Sequence, residues 1–157
     1  MSMSSNSEAA RREILELIPQ VAVYFRQHPA PGMPDGLRTV FESHSLTRRH
    51  GAVVTQLGID SPLTVSELAA RLDVSLPNAS DLVSDLCRAG LADRAPDPAN
   101  RRRTLVHLSP EHRAVVTEFL QMRAGPLLRA MDALTPQQRE GFLAGLRAWA
   151  AEIADRG

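Results

Sequence analysis

Three arginines stand together near the middle of the chain. Arg101, Arg102 and Arg103 follow directly on the turn-forming run Asp97-Pro98-Ala99-Asn100. A guanidinium presents rigid planar donors that match phosphate oxygens, and it stays charged at any physiological pH. Three of them at the tip of a turn suit the backbone of a nucleic acid, although many such charge runs are simply solvated turns. Upstream lie Ser75, Asn78, Ser80 and Ser84, short polar side chains that can hydrogen-bond to base edges, to phosphates or to their own backbone. Other chemistry is thinly represented. The five histidines, His28, His44, His50, His107 and His112, include no pair four apart on one helix, and no cysteine adjoins them, so no metal site is expected. No glycine-rich phosphate loop and no nucleophile motif occurs, which argues against an enzyme.

The elements around these residues must position them. Thr64 and Glu67 have the spacing of a capping box, each side chain able to bond the other's amide. Val65, Leu68, Ala69 and Leu72 then recur at helical spacing, with Glu67, Ala70 and Arg71 outside the apolar face. Asp73 tolerates the left-handed turn that ends this helix. Ser75 offers a second N-cap, with Pro77 in the first turn, where its missing N–H costs little. Ala79, Leu82, Val83 and Leu86 form the next apolar face, and Gly90 ends it. Two short helices joined by a tight turn, with small Ala69 at their crossing, predict a helix-turn-helix. The second helix of that motif lies in a major groove. Its leading residues here are Ser75, Leu76, Asn78, Ala79 and Ser80, with Asp81 and Ser84 further along. Leu91 to Ala95 and Thr104 to Leu108 read as the arms of a hairpin with the arginines at its tip. That is a wing, placed to enter a minor groove or grip phosphate.

With helix pair, glycine and wing all in order, the stretch 63–109 resembles the MarR family of winged-helix transcriptional regulators. The family pattern runs Gly-Leu-hydrophobic-x-Arg, then Asp-Pro-x-Asp-x-Arg-x-x-x-Val-x-Leu-Thr. Gly90, Leu91, Ala92, Arg94, Asp97, Pro98, Arg102, Val106 and Leu108 stand in register with it. Asn100 replaces the usual Asp and Ser109 the usual Thr. The resemblance implies a homodimer joined by its first and last helices, with two recognition helices about one DNA turn apart on a pseudo-palindromic operator. It also implies a repressor relieved by a small aromatic effector, bound between dimer helices and DNA-binding lobe, with Val21, Phe25, Phe41, His44 and Met122 as candidate lining residues. Arg102 takes the position of the family's wing arginine and becomes the minor-groove residue. Redox-sensing relatives carry their cysteine in the first helix; Cys87 lies elsewhere and reads as an ordinary, partly buried thiol.

The rest of the chain is consistent with a mainly α protein. Its 157 residues are 43% hydrophobic, enough to bury one core, and aromatics are only 4%. Residues 1–7 are expected to be disordered. Residues 8–45 should form N-terminal helices for dimerisation, 46–109 the winged helix-turn-helix, and 110–157 the C-terminal dimerisation helices. Within 8–28, Ile14, Ile18, Val21 and Phe25 make an apolar stripe, and Pro19 predicts a kink or a break. Residues 28–36 form a breaker-rich loop. Short helices follow over 37–44 and 46–57, the latter packing Val53, Val54 and Leu57 inward. Ser109-Pro110 starts a helix to about residue 134, bent at Gly125-Pro126, and Thr135 and Gln138 form a second capping box. The last helix carries Phe142, Leu146, Trp149 and Ile153 on one stripe. One cysteine, no apolar signal core and no apolar run near about 18 residues point to a cytoplasmic protein without a membrane span.

Charge supplies the counter-argument. Acids and bases balance at 18 each. Over 64–90, Glu67, Asp73, Asp81 and Asp85 outnumber Arg71 and Arg88, whereas over 91–109 four arginines face two aspartates. Family members often have Arg where Leu76, Asp81 and Asp85 stand. Phosphate neutralisation carries much of DNA affinity, so an acidic helix also fits a winged fold that has become a protein-interaction module. Arg48 and Arg49 could supply the missing phosphate contacts, and Asp81 could accept from a cytosine amino group.

Overall fold

The computed structural model describes residues 2–27 and 30–154. The chain forms two compact units, Met1–Met33 and Pro34–Gly157. The smaller unit holds one helix, α1 (Ser2–Arg26). It begins within the segment expected to be disordered. Once residues 8–12 (Glu-Ala-Ala-Arg-Arg) are helical, each added residue gains a hydrogen bond at little further cost. The helix is unbroken through Pro19, where a break was one of the two expectations. Its apolar stripe of Ile14, Ile18, Val21 and Phe25 is exposed. Met1, His28, Pro29 and 155–157 lie outside the described residues, and with them the expected end of this helix at His28.

The larger unit runs α2 (Asp35–Ser43), α3 (Arg48–Ile59), β1 (Leu63–Thr64), α4 (Val65–Leu72), α5 (Leu76–Arg88), β2 (Ala92–Pro96), β3 (Thr104–Leu108), α6 (Pro110–Asp132) and α7 (Pro136–Ala154). The helix expected from residue 46 starts two residues later. Ser45 takes a left-handed conformation (φ 53°), so helical geometry resumes only after Thr47. Thr47 then caps α3, its backbone N–H donating to His50 Nδ1 at 2.9 Å. The strands pair antiparallel in the order β1-β3-β2, with Leu63 and Arg94 both opposite Val106.

The core of this unit lies where α3, α4, α5, the sheet and α6 meet. Val53 and Leu57 of α3, Leu68 of α4, Ala79, Val83 and Leu86 of α5, Val106 and Leu108 of β3 and Val116 of α6 are all buried. Full burial of one of these valines or leucines stabilises by about 1.5–3 kcal/mol. Gly58 lets α3 approach α6 closely: an added methyl there would run into Leu120 Cδ1 and lie 3.2 Å from Val116 Cγ1. Gly90, at φ +73°, ends α5 and turns the chain into the sheet. Helix α6 is continuous through Gly125-Pro126 and stops at Asp132, and the Thr135–Gln138 capping box opens α7 at 2.9 and 3.3 Å. Phe142, Leu146, Trp149 and Ile153 stay exposed along α7. Among the described residues no helix is long and apolar enough to cross a membrane.

Leu86 tests the centre of this core. Leu86→Ala removes a fully buried side chain and should cost about 2–5 kcal/mol in urea unfolding, with the slope of the transition unchanged.

Candidate nucleic-acid interface

Two caps set the geometry of the helix pair. Glu67 N–H donates to Thr64 Oγ1 at 3.1 Å, and Thr64 N–H donates to Glu67 Oε2 at 2.7 Å. Asp73 closes α4 in the left-handed region (φ 51°, ψ 53°), and Ser75 Oγ then accepts from Asn78 N–H at 3.3 Å to start α5. Ser75 is thereby committed to holding the leading end of α5. The apolar face of α5 faces the core, so its exposed face carries Leu76, Pro77, Asn78 and Asp81, with Ser80 and Ser84 half-buried. Ala79 is a correction to the sequence reading. It is fully buried, because at three and seven residues before Leu82 and Leu86 it lies on the core stripe, and it cannot touch a groove.

The wing is a compact turn. Asp97 N–H donates to Arg103 O at 2.9 Å, Asp97 Oδ1 accepts from Ala99 N–H at 2.8 Å, and Asn100 Oδ1 accepts from Arg102 N–H at 3.1 Å. Asn100 thus supplies the acceptor that the family's Asp would supply, without a negative charge beside Arg102. Arg103 Nε lies 3.8 Å from Asp97 Oδ2. Arg101, Arg102 and Arg103 are exposed.

Sequence reasoning passed over the residue that docks this wing. Arg94, on β2, donates from Nη2 to Ser84 Oγ at 3.1 Å and to Ser80 O at 3.3 Å. Its place in the family pattern was the available signal. Ser84 consequently serves as an anchor for Arg94, and its own hydroxyl donates to Ser80 O at 2.8 Å. Docked this way, wing and helix pair enclose one open cleft of about 620 Å³, lined by Thr64, Ser66, Glu67, Leu76, Ser80, Arg102, Arg103 and Thr104 among others.

The acids of the helix pair mostly have structural duties. Glu67 is held below its ordinary carboxylate range, first by the Thr64 amide, then by the Thr64 hydroxyl, with Arg103 and Arg71 adding to the effect against desolvation. Asp73 forms the left-handed cap of α4. Asp85 accepts from His50 Nε2 at 3.1 Å and pairs with Arg88. His50 Nδ1 already accepts the Thr47 N–H, so the ring proton sits on Nε2 and points at Asp85. This chain of bonds ties the start of α3 to α5. Asp81 is exposed on α5. Arg48 and Arg49 occupy the first turn of α3, where positive charge opposes the helix dipole. Burial pushes the Cys87 thiol up, which keeps it protonated and unreactive at neutral pH.

The candidate effector residues fall in both units. Val21 and Phe25 are exposed on α1 of the smaller unit. In the larger unit His44 and Met122 are exposed, whereas Phe41 is buried, with its ring 3.8 Å from where a methyl on Gly51 would lie. Phe41 is a core residue, and the reason is its position on the inward face of α2 beside Leu37.

Helix pair, wing and docked arginine define a winged helix-turn-helix protein. The MarR family model matches residues 44–103. The chain is 26% identical over 76 residues to the HTH-type transcriptional regulator YsmB of Bacillus subtilis, covering 48% of this chain and 52% of that protein. It spans about half the length of the curated relatives it matches. Among solved structures it is similar to Streptococcus pneumoniae FabT in complex with DNA, with a TM-score of 0.64, 14% identity and coverage of 96% of this chain and 99% of that one. It is also similar to NadR in complex with 4-hydroxyphenylacetate, with a TM-score of 0.60, 18% identity and coverage of 90% and 89%. Residues 44–103 are thus similar to the MarR family of winged-helix proteins, and the chain shares the fold of these solved structures.

Two measurements check this geometry. Asp85→Ala leaves the buried His50 N–H without its acceptor and should cost about 1–3 kcal/mol in denaturant unfolding. Glu67 should titrate below 4.5 by carboxyl NMR. A carboxyl lowered on folding stabilises above its ordinary value, so the advantage of wild type over Glu67→Gln should shrink as the pH falls through 4.5 and below.

Proposed function

We infer that the protein is a sequence-specific transcriptional regulator that binds double-stranded DNA. One observation carries this reading: Leu76 and Ser80 of α5 and Arg102 and Arg103 of the wing open on the same cleft. With α5 in a major groove, the wing tip meets the neighbouring minor groove, and the phosphate strand between them passes the wing side of the cleft, at Arg102 and Arg103. Arg101, Arg102 and Arg103 supply the charge, and Arg48 and Arg49 add contacts at the start of α3, where a phosphate would offset the unfavourable dipole. Ser75, Asn78 and Ser80 line the approach of α5 to the duplex. The structural duties of Glu67, Asp73 and Asp85 weaken the case for a winged fold turned protein-interaction module, which rested on the acidity of this helix pair.

The assembly we infer is a homodimer on a pseudo-palindromic operator. The exposed apolar residues of α1, α6 and α7 support it, among them Phe25, Met122, Leu128, Phe142 and Trp149, the last 51% exposed in the single chain. Apolar surface of this extent marks a protein interface. A two-fold dimer would set its two copies of α5 about 34–36 Å apart. Repression by operator occupancy, relieved by a small aromatic effector, completes the reading. The 4-hydroxyphenylacetate bound to NadR supports that class of ligand.

Fluorescence anisotropy on the DNA upstream of the protein's own gene tests the core of this proposal. Wild type should bind it selectively over random duplex, with affinity falling steeply as salt rises. Arg102→Ala should weaken binding and reduce the slope of log affinity against log salt by about one. Equal affinity for upstream and random DNA at every salt would overturn the reading.

A further inference from the structure

Leu76 is the first residue of α5 and is 52% exposed. Among the described residues of 44–109, the exposed large apolar side chains are Leu76 and Ile59, and Ile59 closes the far end of α3. Leu76 has no capping duty, since Ser75 holds the cap and Pro77 fills the first turn. Its side chain lines the wing cleft beside Ser80, Arg102, Arg103 and Thr104. Leu76, Ser80 and Ser84 follow one another at steps of four along a single flank of α5, and Arg94 binds that flank at Ser80 and Ser84. Leu76 is thus the leading, open end of a flank whose rear is held by the wing.

In a major groove this leucine meets base edges that are otherwise hydrogen-bonding groups. The C5-methyl of thymine is the one apolar group they present. We propose that Leu76 reads that methyl group and so makes a thymine in each half-site a specificity determinant for this chain. The inference rests on the DNA-binding reading above. The chemistry is simple: an exposed leucine face and an exposed methyl leave water together, and no polar partner is stranded. An arginine or serine at the same position would instead select an acceptor or either kind of edge.

The test uses the full-length chain and a duplex selected by it from a randomised pool. Each thymine of the selected duplex is replaced in turn by deoxyuridine, which deletes only the methyl. For wild type, one position per half-site should lose about fourfold in affinity, the worth of one buried methyl-sized group. In Leu76→Ala the same replacement should change nothing, while the dependence on salt stays that of wild type. Leu76→Met, which restores an apolar side chain, should recover much of the sensitivity. Circular dichroism of both variants should match wild type, because the residue is exposed and outside the core. If no deoxyuridine position matters, or if Leu76→Ala keeps the same sensitivity, the proposal is overturned while DNA binding stands. If wild type selects no duplex at all, the DNA-binding reading falls and takes this inference with it.

Discussion

The inward stripe of α5 is the constraint on which the interface depends. Ala79, Val83 and Leu86 are wholly buried against α3, α4 and the sheet. A helix turns about 100° per residue, so burying that stripe leaves no freedom in where the remaining side chains point. Leu76, Asn78 and Asp81 must face outward, and Ser80 and Ser84 must flank the wing. A substitution that rotated α5 by one residue would bury polar side chains and expose Val83, at a cost no surface contact could repay. Recognition is therefore specified from the inside of the protein.

The wing depends on α5 in turn. A two-stranded ribbon alone is marginally stable in water. Here β3 pairs with β1 as well as β2, which makes a three-stranded sheet, and Arg94 bonds the ribbon to the helix it must work beside. Asp97 and Asn100 hold the tip with their side chains, leaving the guanidinium groups of Arg101 and Arg102 to project from a fixed turn. Charge at the tip is then presented at a set distance from the leading end of α5, which is what a groove of fixed width requires.

Much of this was legible in the order of residues, because the signals are local. Capping boxes, the left-handed Asp73, the Gly90 stop and the arginine-tipped hairpin are each decided within a few residues of chain, and each appears where the spacing placed it, save that the first hairpin arm starts one residue later, at Ala92. The errors are also physical. Ala79 was grouped with the reading residues because it stands in the leading turns of the helix, yet its angular position puts it in the core. Ser45 and Thr47 moved the start of α3, since a single left-handed residue overrides a run of apolar periodicity. Phe41, a candidate lining residue, packs on the inward face of α2 beside Leu37.

By itself the sequence determined the elements, their caps, the apolar stripes and the run of charge at the wing tip, since these follow from backbone propensity and from periods of about 2 and 3.6 residues. Only the tertiary structure decided what the charges do. The excess of acids over 64–90 counts against nucleic acid when residues are summed along the chain. In three dimensions His50 comes from 35 residues away to bind Asp85, Arg103 reaches the neighbourhood of Glu67, and Arg94 spends its guanidinium on two serines of α5. Coulomb and hydrogen-bond partners are set by distances through space, and the fold, built on apolar burial, is what sets those distances.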